Sequence, residues 1–261
     1  MTQQATDSSN AEFWDELCGS GLARSIGVTD ASPSSLARFD AAYLDFYPYL
    51  RRYYASEPLE GARVLEIGLG YGTLSSELAR RGCRYHGLDI ARGPVQMVRE
   101  RLRMIDRPAD EAVVQGSALS IPHPDDGFDY VYSIGCLHHT GDLPAAVGEV
   151  RRVLRPGGKA VVMLYNRHSL RQLLAVDLRR LLRRDPGASE VRATYDSDAE
   201  GNAAPHTDYV SRRDVRRLFA GFSDVRIEAR NFDDTRVVPR TALLGNADRL
   251  LGLDLYIVAT K

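Results

Sequence analysis

Glycines stand at alternate positions, Gly68, Gly70 and Gly72, in the stretch "VLEIGLGYGT" (64–73), behind a short apolar run that carries one acid, Glu66. Glycines between a strand and a helix allow close approach of a ligand to the backbone at the carboxyl end of a sheet. A dinucleotide fingerprint puts its glycines at relative positions 1, 3 and 6, and here the sixth position is Thr73. A pyrophosphate needs N–H donors and positive charge, whereas an acid at the strand end suits a cationic ligand. Asp89, closing the next apolar run "RYHGLDI" (84–90), stands where an acid commonly holds ribose hydroxyls.

Such residues need a scaffold, and from about residue 61 short apolar runs alternate with helical patterns, as in a parallel sheet covered by crossover helices. Strands are predicted at 62–68, 84–90, "AVVQGS", "FDYVYSIG" and "KAVVMLYN". Helices are predicted at 74–82, at 93–105 with Pro94 in the first turn, and over "LPAAVGEVRRVL", stopped by Pro156-Gly157-Gly158. Residues 1–10 read as a disordered polar tail, and 11–60 as a helical cap with Trp14 and a tyrosine-rich segment interrupted at Pro48. Residues 61–166 form the core. Residues 167–207 are an insertion after strand five, an Arg/Leu helix "SLRQLLAVDLRRLLRR" followed by a polar loop, and a loop this long in a compact domain reads as a lid. Residues 208–261 return to the core through a Ser-capped helix (211–222) and two strands, "SDVRIEARN" and "LDLYIVATK".

A ligand with an adenosyl group, an α-amino group and a positive sulfonium would satisfy both Glu66 and Asp89. In that order along the chain, "VLEIGLGYGT", "HGLDI", "QGSALSIPHPDDGFDYVYSIGCLHH" and "VRRVLRPGGKAVV" resemble the motifs of the class I S-adenosylmethionine-dependent methyltransferases of the bacterial small-molecule type. The resemblance covers about 61–166 and the closing strands. It implies an α/β, Rossmann-like three-layer sandwich whose seven-stranded, mostly parallel sheet ends in an antiparallel strand. It implies S-adenosyl-L-methionine as cofactor, with S-adenosyl-L-homocysteine as product. Gly68, Gly70 and Gly72, with Tyr71 and Thr73 in the same turn, would approach the methionine portion. Asp89 would accept from the ribose hydroxyls, Ile90 would pack on adenine, and Ser117 and Ala118 would flank it. Ser117 stands where the family often carries an acid. Ser133 and Gly135, ending strand four, would line the methyl-transfer site.

Methyl transfer from a sulfonium is an in-line displacement, so holding nucleophile and methyl in near-attack geometry supplies most of the acceleration. A hydroxyl acceptor also gains from a base, and histidine is the usual type. His138 and His139 follow strand four at the sheet's carboxyl edge; they read either as a structural turn or as the base. Around the acceptor, Trp14 and Tyr43 from the cap and Tyr165, Arg167 and His168 after strand five are candidate contacts. Arg167 suits either an acceptor carboxylate or phosphate or a structural ion pair. His206 brackets the far end of the insertion, whose arginines (171, 179, 180, 183, 184) form a solvated face or meet an acidic acceptor, carrier protein or membrane surface.

Bulk properties narrow the field. A net charge of −1 gives no basic field for nucleic acid, and nucleic-acid amine methylation is further disfavoured because "SIGCLHH" lacks the acid-or-Asn, Pro-Pro, aromatic motif. Cys18, Cys83 and Cys136 are neither a disulfide framework nor a zinc spacing, so no metal is expected and a cytoplasmic setting fits. The N-terminus has no apolar signal region and no run is long enough to span a membrane. A short-chain dehydrogenase would need Tyr-x-x-x-Lys, but Arg155 stands four residues before Lys159. The expected partner is a small-molecule acceptor, acidic and carrier-bound ones included, with the chain a monomer or homodimer. The competing reading is a protein that keeps the fold as a non-methylating binder or cyclase.

Overall fold

A computed structural model describes residues 2–16, 21–181, 187–232, 240–245 and 247–261. Its centre is a seven-stranded sheet in the order β3-β2-β1-β4-β5-β7-β6. The strands are β1 (Arg63–Ile67), β2 (Arg84–Asp89), β3 (Val113–Gln115), β4 (Phe128–Ile134), β5 (Leu154–Tyr165), β6 (Asp224–Arg230) and β7 (Asp254–Thr260). The first five pair in parallel, and β7 runs antiparallel to both neighbours, β5 and β6, as the resemblance implied. The chain reverses its direction of travel across the sheet between β1 and β4. That is the switch point at which open α/β sheets hold ligands beyond the strands' carboxyl ends.

The central strands are apolar nearly throughout because both faces are covered. On β5, Ala160, Val162 and Leu164 enter one core, and Val161 and Met163 enter the other. The first core is closed by α6 (Leu143–Val153) and α10 (Arg212–Leu218). The second is closed by α4 (Thr73–Ala79) and α5 (Arg92–Arg103). In α6 the buried Leu143, Ala146, Val147, Val150 and Val153 fall at three- and four-residue spacing, the stripe that faces a sheet. Asp142 caps this helix by accepting from Ala145 N at 3.0 Å. Helix α10 carries the capping box of Ser211 and Asp214.

Several elements depart from expectation. Residues 3–10 are not a disordered tail: they begin α1 (Gln3–Asp15), capped by Thr2. This helix has no apolar stripe to betray it. Polar contacts hold it instead: Asn10 Nδ2 donates to the His139 carbonyl at 2.7 Å, and Gln3 Nε2 to the Thr140 carbonyl at 2.8 Å. Strand five starts at Leu154 rather than Lys159, running through Pro156-Gly157-Gly158, with a register shift against β4 between Phe128 and Tyr130. Beyond α1 lie α2 (Gly21–Ser25) and α3 (Pro33–Phe46), the latter ending before Pro48. The insertion helix is not continuous: a π turn at Leu173–Asp177 separates α7 (Leu170–Gln172) from α8 (Leu178–Leu181). A short α9 (Ala188–Ala193) interrupts the expected polar loop. Cys18, Arg183 and Arg184 lie outside the described residues.

Candidate active site

A cleft enclosing about 1350 Å³, mouth included, opens at the carboxyl ends of β1, β2 and β4. At its floor the three glycines all have positive φ, yet they do different work. A Cβ on Gly68 would lie 2.3 Å from Cys136 Cβ, and one on Gly72 would lie 2.8 Å from Val98 Cγ2 and Arg101 Cδ. These two positions therefore let protein segments meet. A Cβ on Gly70 would meet no protein atom within 4 Å, so here the open space of the cleft reaches the backbone.

Two buried acids flank this turn. Asp89 Oδ2 accepts from Leu69 N at 2.7 Å and Oδ1 from Ala91 N at 2.9 Å, which fixes the carboxyl plane at the cleft wall and leaves lone pairs for further donors. Burial pushes its pKa up to about 6, against the pull of those backbone bonds. Glu66 is 2% exposed, and its Oε2 accepts from both Ser75 Oγ (2.7 Å) and Tyr85 Oη (2.6 Å). Burial pushes Glu66 up to about 7, opposed by the Tyr85 and Ser75 bonds and reinforced by the charge of Asp89. Beyond them Ile90, Ser117 and Ala118 line the cleft, with Ser117 Oγ accepting from Leu119 N at 3.2 Å.

The opposite end is aromatic. Phe39 stacks on Tyr71 with ring centres 4.2 Å apart and on Tyr43 at 5.9 Å; Trp14 and Tyr165 complete the wall with Gly135 and His139. His139 Nδ1 lies 2.7 Å from the His206 carbonyl, which can only accept, so Nδ1 carries the hydrogen and Nε2 the lone pair. Nε2 faces Asp196 Oδ2 at 3.7 Å. Tyr165 Oη donates to the same carboxyl at 3.0 Å. Burial lowers the His139 pKa while the Asp196 charge opposes it, and burial raises that of Asp196. Trp14 covers the imidazole at 4.9 Å.

Four predicted residues sit elsewhere. Ser133 is fully buried off the cleft wall, its hydroxyl donating to the Ile67 carbonyl at 3.1 Å, so it ties β4 to β1. His138 is completely buried between His139 and Tyr165, ring centres 4.2 Å from each, and burial pushes its pKa well below the ordinary value; it is not on the wall. Arg167 and His168 line a second cavity under the insertion. Conversely, Asp7, Asn10 and Asp196 reach the site or its histidine from distant parts of the chain, and no local sequence signal marks them.

The profile of the methyltransferase domain family matches residues 65–162, which run from β1 to the middle of β5. A ubiquinone biosynthesis O-methyltransferase of Paramagnetospirillum magneticum is 31% identical over 175 residues, covering 57% of this chain and 69% of that protein. The chain belongs to the class I S-adenosylmethionine-dependent methyltransferases. Another relative, a fatty-acid O-methyltransferase of Mycolicibacterium smegmatis, is 40% identical over 106 residues, 40% of this chain and 37% of that protein. The chain spans about a third to a half of the length of the first curated relatives it matches. The S-adenosylmethionine-dependent methyltransferase from Mesorhizobium loti shares the fold, with a TM-score of 0.56 at 19% identity over 82% of this chain and 97% of that one. The matched family span leaves out the helical cap, which supplies Trp14, Phe39, Tyr43 and Tyr47 to the aromatic end of the cleft, and it stops short of Tyr165.

Proposed function

We propose that this methyltransferase moves a methyl group from S-adenosylmethionine to an oxygen of a small-molecule acceptor. The reading rests on one observation above the rest: a single cleft joins Asp89 and the open side of Gly70 to an aromatic chamber that holds His139. The residues fit the cofactor. Asp89 presents fixed acceptors for ribose hydroxyls, Ile90 with Ser117 and Ala118 forms a slot for a flat base, and Glu66 offers a buried carboxyl toward positive charge. When bound there, the cofactor supplies an activated methyl group.

Residues of the chain do the rest. Trp14, Tyr43 and Tyr165 enclose an acceptor and exclude water, so that alignment lowers the barrier. His139 Nε2 is buried 3.7 Å from an Asp196 carboxyl oxygen and has no hydrogen-bond partner among the described residues. In this reading the pair takes the proton of an acceptor hydroxyl once the bound acceptor has opened Nε2 to the cleft. Carboxylate and hydroxyl acceptors are favoured because curated relatives are named as fatty-acid, ubiquinone biosynthesis and malonyl-[acyl-carrier protein] O-methyltransferases. Cys83 and Cys136 are free thiols, which suits a reducing compartment such as the cytoplasm.

Calorimetry with S-adenosylhomocysteine, followed by label transfer from S-adenosylmethionine to phenols, carboxylic acids and carrier-bound acids, tests the reading. Asp89→Asn is expected to weaken cofactor affinity at least tenfold. His139→Gln is expected to cut turnover on a hydroxyl acceptor by about a hundredfold, with cofactor affinity within twofold. Cofactor binding without transfer to any acceptor class would favour a non-methylating protein. Unchanged affinity in Asp89→Asn would remove the ribose assignment.

A further inference from the structure

The second cavity, about 1180 Å³ with its mouth, lies under the insertion, and Arg167, Gln172, Asp177, Arg192, Thr207 and Tyr209 are on its wall. Two of its polar atoms are buried and have no hydrogen-bond partner among the described residues: Gln172 Nε2, on a residue 7% exposed, and Tyr209 Oη. Buried polar atoms in folded proteins are nearly always paired, so two orphans on one cavity wall mark a place where a ligand completes the bonding. The surroundings give the sign of that ligand. The Arg167 guanidinium has no ion-pair or hydrogen-bond partner among the described residues, and Arg192 spends only its Nε, on the Ala204 carbonyl at 2.8 Å. Among the described residues Asp177 is the single acid of the wall, against two guanidiniums. Tyr209 stays a donor because burial raises its phenol above the ordinary value.

We infer that this cavity is a binding site for an oxyanion, the phosphate or carboxylate of a ligand, held by Arg167, Arg192, Gln172 and Tyr209. Guanidinium forks suit such groups, and the amide and phenol add neutral donors at fixed positions. The π turn at Leu173–Asp177 brings Val176 and Asp177 to this wall, a local distortion often found at functional sites.

The site is back to back with the methyl-transfer cleft, and the inference rests on the function proposed above only for what the anion does. Thr207, on the anion side, has its Oγ1 3.3 Å from His139 Nδ1. Tyr209 stacks with Tyr165 at 6.3 Å, and Tyr195 bridges them at 5.0 Å and 4.7 Å. An anion seated there contacts the supports of the His139, Tyr165 and Asp196 group. Its source is either the charged end of the acceptor or a free anion that sets the geometry of that group.

The test titrates inorganic phosphate into the full chain saturated with S-adenosylhomocysteine, by calorimetry. Saturable binding is expected, weakened at least tenfold in Arg167→Gln and several-fold in Gln172→Leu, with S-adenosylhomocysteine affinity unchanged in both. Gln172→Leu is expected to leave the melting temperature unchanged or higher, since no protein group bonds its Nε2; this separates ligand binding from a structural role. Absence of saturable phosphate binding, or the same affinity in Arg167→Gln, would overturn the inference. Loss of S-adenosylhomocysteine binding in the wild-type chain would instead sink the methyltransferase reading and leave the phosphate result standing. Phosphate that raises KM only for phosphate- or carboxylate-bearing acceptors identifies the acceptor as the source; phosphate that changes kcat on neutral acceptors identifies a free anion. Either result supports the site.

Discussion

Glu66 shows how one side chain links fold, cofactor and pH. Its pKa, raised to about 7 by burial, lies above that of an unfolded glutamate at 4.5. A carboxyl whose folded pKa is raised binds protons more tightly when folded, so its contribution is fully present below about 4.5 and is lost as pH rises toward about 7. The ligand-free protein should therefore lose stability across that window, on the order of 3 kcal/mol from this residue, measured by urea denaturation at several pH values. Glu66→Gln should reduce the slope, leaving the part that comes from Asp89, whose pKa burial raises to about 6, and a profile of unchanged slope would show that the Glu66 carboxyl is not the source. Binding a sulfonium ligand should then release close to one proton near pH 6, read as buffer-dependent calorimetric heat. Glu66 was legible as a site acid because its neighbours in sequence are its neighbours in space. Asp196 was not: it lies 57 positions after His139 and meets it only once the insertion has folded back.

Among the elements, α3 is held to the core by charge as well as by rings. Arg101, on α5 and 5% exposed, donates from Nη1 and Nη2 to the two oxygens of Asp40 on α3, each at 2.9 Å, and Thr73 Oγ1 donates to the same carboxyl at 2.6 Å. Removing one partner of such a pair leaves an uncompensated buried charge, so Asp40→Ala should cost about 3 kcal/mol in chemical denaturation. It should also raise the Kd for S-adenosylhomocysteine, because Phe39 beside it packs on Tyr71 in the cleft. A loss below about 1 kcal/mol would place the pair with surface bridges of little worth. The core strands and their covering helices could be read from apolar runs, caps and glycines because those signals are local. Helix α1 and the π turn could not, since the first is fixed by polar bonds to a turn 129 residues away and the second, inside the insertion, has no local sequence signal of its own.

At the scale of the whole molecule, the cleft is a joint between parts that the chain order keeps far apart. Its wall takes Asp7, Asn10 and Trp14 from α1, Phe39 and Tyr43 from α3, the glycine turn and Asp89 from the core, and Met163 and Tyr165 from β5. The insertion closes the arrangement by supporting His139 through the His206 carbonyl and Asp196. A ligand seated in such a joint ties all these parts together in the folded state only. At a hundredfold excess over Kd, S-adenosylhomocysteine should add about 2.7 kcal/mol of stability, which for a chain of this size corresponds to a rise in melting temperature of about 5–10 °C. If the cap and insertion are part of the site, amide exchange should slow in α1 and around residues 196–207, and not only in the glycine turn. A rise in melting temperature with α1 exchange unchanged would show that the core alone holds the cofactor. The N-terminal helix would then act on the acceptor side, where Trp14 covers His139.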